Sequence, residues 1–261
     1  MSNSLNNDSA FEASMDKYEE IANLWLWYPD LALDLMAPKE GGIKLHSDQR
    51  IFMRCGARFF SEYGCFPRGW GKTFAEVATM VITAIRYPNI EIGLTAQTKE
   101  NAASLLKDKY NELVRYYPML LNEIKKTSFV KGDALIVFKN DARIDALANA
   151  QSSKGQRRKR LNIEESNLMD NTTFEDALEP VVEVGRITTG KLAITNPEEL
   201  NQQINFFTTP GFRGSDEYRR SLQMIQDMRD LKGKIVLGSD WMLGCWYGRG
   251  SSKSTILKKK R

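Results

Sequence analysis

Phe66-Pro67-Arg68-Gly69-Trp70-Gly71-Lys72-Thr73 ends in the Gly-Lys-Thr of a phosphate-binding loop. The pattern G-x-x-x-x-G-K-[ST] asks for glycine at its first position, and this chain has Phe66 there. The half that does chemistry is present. Backbone N–H groups from Gly69 through Trp70 and Gly71 to Thr73 can cradle a phosphate, Lys72 can reach the β/γ oxygens, and the Thr73 hydroxyl can hold Mg²⁺. Arg68 adds a second cation to the same loop. Such a loop must leave a strand and open a helix whose N-terminus faces the phosphate. Downstream, Phe74, Val77, Ala78, Val81, Ile82 and Ile85 recur at helical spacing until Pro88 ends the stripe. Upstream, residues 57–65 predict a short strand. The competing reading is a glycine-rich turn before a core helix.

Further along, residues 91–96 predict a second strand. A helix follows, with Ala102, Leu105, Leu106, Tyr110, Leu113 and Val114 on one face, ending near Pro118. Segments 134–138 and 143–147 alternate on either side of Asn140-Asp141, a hairpin signature. Strands are predicted at 161–164, 191–195 and 204–208, and a polar helix at 215–231 with Tyr218, Leu222, Ile225 and Met228 on it. Strands interleaved with long helices indicate an α/β fold with a mostly parallel central sheet flanked by helices. Residues 1–10 read as disordered. Residues 11–36 read as helical, with Trp25, Trp27 and Tyr28 forming an apolar surface and Pro29 breaking it. The last thirty residues, with Trp241, Trp246 and Tyr247, fit no element.

Composition narrows the function classes. The chain has 261 residues, 42% hydrophobic and 27% charged, as in a globular protein with one large α/β domain and an appendage, or two small domains. A net charge of +4 does not by itself announce a nucleic-acid partner, but its distribution is uneven. Lys154, Arg157, Arg158, Lys159 and Arg160 form one basic cluster, and Lys253 with residues 258–261 forms another. Cys55, Cys65 and Cys245 lack metal-ligand spacing and suit a reducing compartment. His46 is the only histidine, which argues against a Ser-His-Asp triad and a multi-histidine metal site. No signal-peptide pattern opens the chain and no apolar run reaches membrane-spanning length, so a cytosolic protein without a membrane partner is expected.

A loop that hydrolyses its nucleotide needs acids at a strand end, one toward the metal and one toward the attacking water. Arg160-Leu161-Asn162-Ile163-Glu164-Glu165 offers that arrangement, with Glu164 on the metal side and Glu165 as base. The alternative is a surface Glu-Glu at a helix start, where carboxylates favour the positive end. The Asn-Lys-x-Asp element of guanine recognition is absent from the sequence, which favours ATP. Gln49, upstream of the loop, could pair with both donor and acceptor of the adenine edge.

Taken in order, Leu45-x-x-x-Gln49, Pro67 through Thr73, Thr95-Ala96-Gln97-Thr98-Lys99-Glu100-Asn101-Ala102, Gly155-Gln156-Arg157, Ile163-Glu164-Glu165 and Phe207-Thr208-Thr209-Pro210 resemble the ATPase domain of tailed-bacteriophage large terminases. The lead-in Leu24-Trp25-Leu26-Trp27-Tyr28-Pro29 looks like that family too. The resemblance implies a RecA-like P-loop fold of the ASCE type with a small C-terminal helical lid. Residues 1–46 would form an N-terminal helical extension, 47–214 the ATPase core, and 215–261 a lid and linker. It implies Gln49 as the adenine-recognising residue and Arg68 as an arginine acting in cis on the phosphates. Thr208 and Thr209 become the motif that couples the γ-phosphate site to the lid. Where family members show Arg-Gly before the acidic strand, this chain has Lys154-Gly155, so Lys154, Arg157 and Arg158 are all candidates for reaching a neighbouring subunit's nucleotide.

The same resemblance implies ATP and Mg²⁺ as cofactors. As partners it implies double-stranded DNA, the portal protein of a procapsid, a small terminase subunit and further copies of the chain in a ring, all in the host cytoplasm during virion assembly. The family's C-terminal nuclease has no counterpart after Pro210, so ATPase activity without DNA cleavage is expected. Two other readings stand beside this one. A helicase-like DNA translocase would need a second motor domain, and a catalytically inert nucleotide-binding scaffold would need only the fold.

Overall fold

The computed structural model describes residues 14, 16–18, 20, 21, 23–183, 202–230 and 232–238. Residues 23–27 are helical and the break falls at Tyr28. Pro29 then opens a new helix, α1 (Pro29–Met36), where its missing N–H leaves no helical bond unmade. Asp30 is fully buried under Arg50 and Arg54, at 3.0 and 2.7 Å, which ties α1 to α2 (Ser47–Gly56).

The chain continues through β1 (Ser61–Cys65), α3 (Lys72–Arg86), β2 (Glu91–Thr95) and α4 (Lys99–Tyr116). Then come β3 (Ile124–Val130), β4 (Asp133–Phe138), β5 (Arg143–Leu147), β6 (Arg160–Glu164), β7 (Gln203–Thr208), α5 (Asp216–Arg229) and β8 (Lys234–Gly238). Buried Phe74, Val77, Ala78, Val81 and Ile82 form the inner stripe of α3. Thr98 caps α4 by accepting the Asn101 N–H at 3.1 Å. In the hairpin turn Asn140 donates to the carbonyls of Ala84 and Ile85, both at 2.9 Å, which pins the turn to the end of α3.

All these strands join one eight-stranded sheet in the order β3-β4-β5-β2-β6-β7-β1-β8. Strands β8, β1, β7, β6, β2 and β5 run parallel, while β4 and β3 add antiparallel. The order β8-β1-β7-β6-β2 is RecA-like, with β7 between the strand that feeds the loop and the strand that carries the acids. The parallel strands all end at one edge, the edge where open α/β sheets bind ligands. On one face the core gathers Phe52, Met53, Val77, Val81, Leu94, Leu106 and Ile144 under α2, α3 and α4. On the other, Leu161, Ile163, Leu178, Val181, Phe206, Met224 and Met228 pack beneath the helical turns of residues 171–182 and α5.

The expected strands at 91–96, 134–138, 143–147, 161–164 and 204–208 are present, as are both long helices. The strand expected at 191–195, and Trp241, Trp246, Tyr247, Lys253 and residues 258–261, lie outside the described residues. Two strands were not foreseen. β3 is exposed along most of its length, so its sequence carries no alternation to read. β8 adds to β1 at the far edge, so the sheet draws on residues beyond 214. Among the described residues no helix is long and apolar enough to cross a membrane.

Candidate active site at the strand ends

The loop follows β1 directly. Phe66 extends the strand by donating its N–H to the Thr208 carbonyl at 3.0 Å. Its ring is 3% exposed and stacks on Trp70 at 4.0 Å with an 11° tilt, while Phe52 meets both rings edge-on. A Cβ at Gly64 would come within 2.6 Å of the Phe66 ring, so the preceding glycine makes room for it. The first loop position is therefore an aromatic anchor, each such pair contributing about 0.5–1.5 kcal/mol beyond simple burial. Gly71 caps α3 with φ 88°, in the left-handed region that glycine enters without steric cost. Lys72 and Thr73 occupy the first turn of α3, beside its positive end.

β6 delivers the acids to the same place. Its side chains divide by face: Leu161 and Ile163 enter the apolar core, while Asn162 and Glu164 point toward α3. That polar face is satisfied across strands, since Asn205 donates to Asn162 at 3.1 Å and accepts the Glu62 N–H at 3.1 Å. The pairing explains how a strand with so few apolar residues sits in the middle of a sheet. At the strand end, the Lys72 ammonium and the Thr73 hydroxyl both donate to the buried Glu164 carboxylate. Glu165 follows with φ 54° and ψ 45°. A left-handed conformation costs a non-glycine residue about 1–2 kcal/mol, and the turn holds it through the Leu168 N–H to Glu165 carbonyl bond at 2.9 Å. Among the described residues the Glu165 carboxylate has no hydrogen-bond or ion-pair partner.

These groups enclose a cleft of about 390 Å³ lined by residues 67–74 of the loop, Lys109, Glu165 and Thr209. Arg68 is exposed on its wall. A larger cavity of about 540 Å³ lies between α5 and residues 171–179, but none of the loop residues borders it. The polar groups that converge belong to the smaller cleft, and convergence of such groups is what marks a site.

Other expected site residues are placed differently. Gln49 is buried and does not line the cleft. Its carboxamide oxygen accepts the His46 N–H at 3.0 Å, and its nitrogen donates to the Trp70 carbonyl at 3.4 Å. It closes the start of α2 and braces the loop from behind. Thr208 is fully buried with its hydroxyl on the Thr209 carbonyl at 2.9 Å, so only Thr209 of that pair reaches the cleft. Arg158 corrects the expectation of an outward-reaching cation: it is 5% exposed and forks onto Asp145, with Nε at 2.8 Å from the carboxylate. Lys154, loosely paired with Asp176 at 3.9 Å, and Arg157 are the exposed members of that cluster. Lys109 is a residue the sequence did not reveal, because nothing distinguishes it from the other lysines of α4 before the helix is seen against the loop.

The oxygens fit a magnesium ion. Thr73 and Glu164 bring a hydroxyl and a carboxylate together at one point, and Mg²⁺ takes one or two protein oxygens and fills its other positions with water and phosphate. No group of three or more His, Cys, Asp or Glu able to hold a metal occurs among the described residues. Two further acids lie beneath. Burial pushes the Glu62 and Glu76 carboxyls well above the usual carboxylate range, and the nearby Glu164 charge adds to the effect on Glu76. Glu62 Oε1 and both Glu76 oxygens have no hydrogen-bond partner.

Sheet order and flanking helices define a mostly parallel α/β fold of the RecA-like type. Large terminases of bacteriophages share it. The large terminase of a thermophilic bacteriophage matches with TM-score 0.55 at 11% identity, over 75% of this chain and 46% of that one. The same large terminase in complex with ADP matches with TM-score 0.55 at 10% identity, over 74% and 45%. The ATPase domain of the Thermus phage P74-26 large terminase gives TM-score 0.43 at 13% identity, over 71% and 88%. The chain thus spans less than half the length of the first of these proteins. No protein-family model and no curated protein matches the sequence.

Proposed function

We propose that residues 47–214, extended by β8, form the ATP-hydrolysing motor of a viral large terminase that drives double-stranded DNA into a procapsid. The observation that carries this reading is that Lys72 and Thr73, which line the cleft with Arg68, Glu165 and Thr209, both donate to the buried Glu164 carboxylate behind it. The large terminase of the thermophilic phage is known in complex with ADP, which accords with a nucleotide-binding role.

The loop N–H groups at the α3 terminus would hold the ATP phosphates, with Glu165 and Thr209 toward the γ end. Lys72 shares its ammonium between Glu164 and the β/γ oxygens. Arg68 stabilises the charge that develops on the transferred group. Glu165 orients the attacking water and accepts its proton. Thr73 and Glu164 would hold Mg²⁺, which would supply charge neutralisation at the phosphates. Gln49 serves adenine recognition, or its placement behind Trp70 serves the loop alone, and an ATP-against-GTP comparison in Gln49→Ala separates the two.

In the assembled ring, Lys154 or Arg157 reaches the nucleotide of the next copy. DNA is held through its phosphates, so binding weakens as salt rises. The portal protein and a small terminase subunit are the protein partners, in the host cytoplasm. Outside β8, residues 215–261 act as lid and linker, with α5 as the lid that Thr208 and Thr209 couple to the γ-phosphate site. Phosphate release measured with and without DNA and portal-bearing procapsids tests this. Stimulation by both supports a packaging motor, stimulation by DNA alone a helicase-like translocase, and nucleotide binding without release an inert scaffold.

A further inference from the structure

We propose that Arg220 on α5 is a positioning residue for Glu165, so that the placement of the catalytic base and the placement of α5 are mechanically one. This rests on the ATPase reading above and names a link absent from it.

Arg220 is a buried cation, 8% exposed, without an ion pair among the described residues. Its guanidinium is fixed from several sides. One nitrogen donates to the Ser166 carbonyl at 3.3 Å and the other to Asn171 Oδ1 at 2.7 Å. The plane lies over the Phe206 ring at 5.2 Å and the Phe174 ring at 5.6 Å. Burying a cation this way is unfavourable unless its donors have defined acceptors, and here the acceptors belong to the turn after the acids.

Ser166 is the residue after Glu165 and is fully buried. The left-handed Glu165 is therefore held at both ends. Before it, Glu164 is fixed by Lys72 and Thr73; after it, the Ser166 carbonyl is fixed by Arg220. A non-glycine residue stays in this region only where its surroundings over-determine it. The first turns of α5 make further ties to the same neighbourhood. Asp216 accepts the Asn171 N–H at 3.3 Å, and Glu217 accepts the Tyr63 hydroxyl from β1. Any rotation of α5 must either carry the Ser166 turn with it or break the Arg220 fork, and both change where the Glu165 carboxylate points.

The test is steady-state ATP hydrolysis by the full chain carrying Arg220→Lys, Arg220→Gln, Glu165→Gln, and Arg220→Lys combined with Glu165→Gln. Lysine keeps stem and charge but cannot serve two acceptors as a planar fork. Both Arg220 variants are expected to lower kcat about tenfold or more with KM for ATP little changed. In the Glu165→Gln background, Arg220→Lys is expected to change residual turnover less than about twofold, because the group it positions is already lost. Near-wild-type turnover in Arg220→Lys overturns the inference. So does an equal fold-loss in both backgrounds, a change confined to KM, or failure of Arg220→Lys to fold. Absence of turnover in the unsubstituted chain removes the ATPase reading itself and is distinguished by appearing before any substitution.

Discussion

The Lys72 ammonium rests on the Glu164 carboxylate, joining two residues 92 positions apart at the ends of neighbouring structural layers. Both side chains are buried, at 11% and 1% exposure. Removing one partner of a buried pair leaves the other uncompensated, at a cost of about 3–5 kcal/mol.

Lys72→Ala is therefore expected to abolish phosphate release and also to lower the melting temperature. Adding Glu164→Gln should restore the melting temperature and leave the variant inactive. A calorimetric scan beside the hydrolysis assay checks this. Stability unrestored in the double variant would mean that the pair is not what Lys72 contributes to the fold.

Phe66→Gly gives the loop the glycine its sequence pattern asks for. The aromatic stack predicts that this does not raise turnover and destabilises the chain by about 3–5 kcal/mol, the range for losing a large buried aromatic. Chemical denaturation of the two proteins measures it. An unchanged midpoint would show that the Phe66–Trp70 stack does not brace the loop.

Arg158→Ala should lower stability by about 3 kcal/mol, since it strands the Asp145 carboxylate. Arg157→Ala, at an exposed position, should leave the melting temperature in place. If instead Arg158→Ala melts like the parent chain, the Asp145 fork is not a structural bond.

Glu62 predicts a pH effect of definite sign. Its carboxyl is held well above the ordinary value of 4.5 by burial, so the folded chain binds that proton more tightly than the unfolded chain. The stability this gives is full below pH 4.5 and is lost as pH rises through the folded-state value. Glu62→Gln cannot titrate, so its melting temperature should gain on the parent's as pH increases from 4.5. A constant difference across that range would contradict the raised carboxyl.

Much of the candidate site was legible in the sequence because its residues are local. Gly71, Lys72 and Thr73 stand side by side at the start of a strongly periodic helix, and Glu164 and Glu165 end a strand whose neighbours could be counted. The sheet's parallel core was legible for the same reason, through alternation and helix spacing. What escaped depends on distant partners. β3 is an exposed edge without a buried face, and β8 is recognisable only beside β1. Phe66 departs from the motif, and its role is set by Trp70 and Phe52 packed around it. Arg158 looked like a free cation until Asp145 was placed beneath it. Arg220 carried no signal at all, since its acceptors, Ser166 and Asn171, are polar groups that sequence spacing does not connect to α5.

Phosphate release from ATP by the parent chain and by Glu165→Gln, each with a parallel measurement of nucleotide binding, decides whether Glu165 is the base of an ATPase. Binding by both is expected, with release by Glu165→Gln reduced to a small residual rate. Release by Glu165→Gln at the parent's rate would contradict that role.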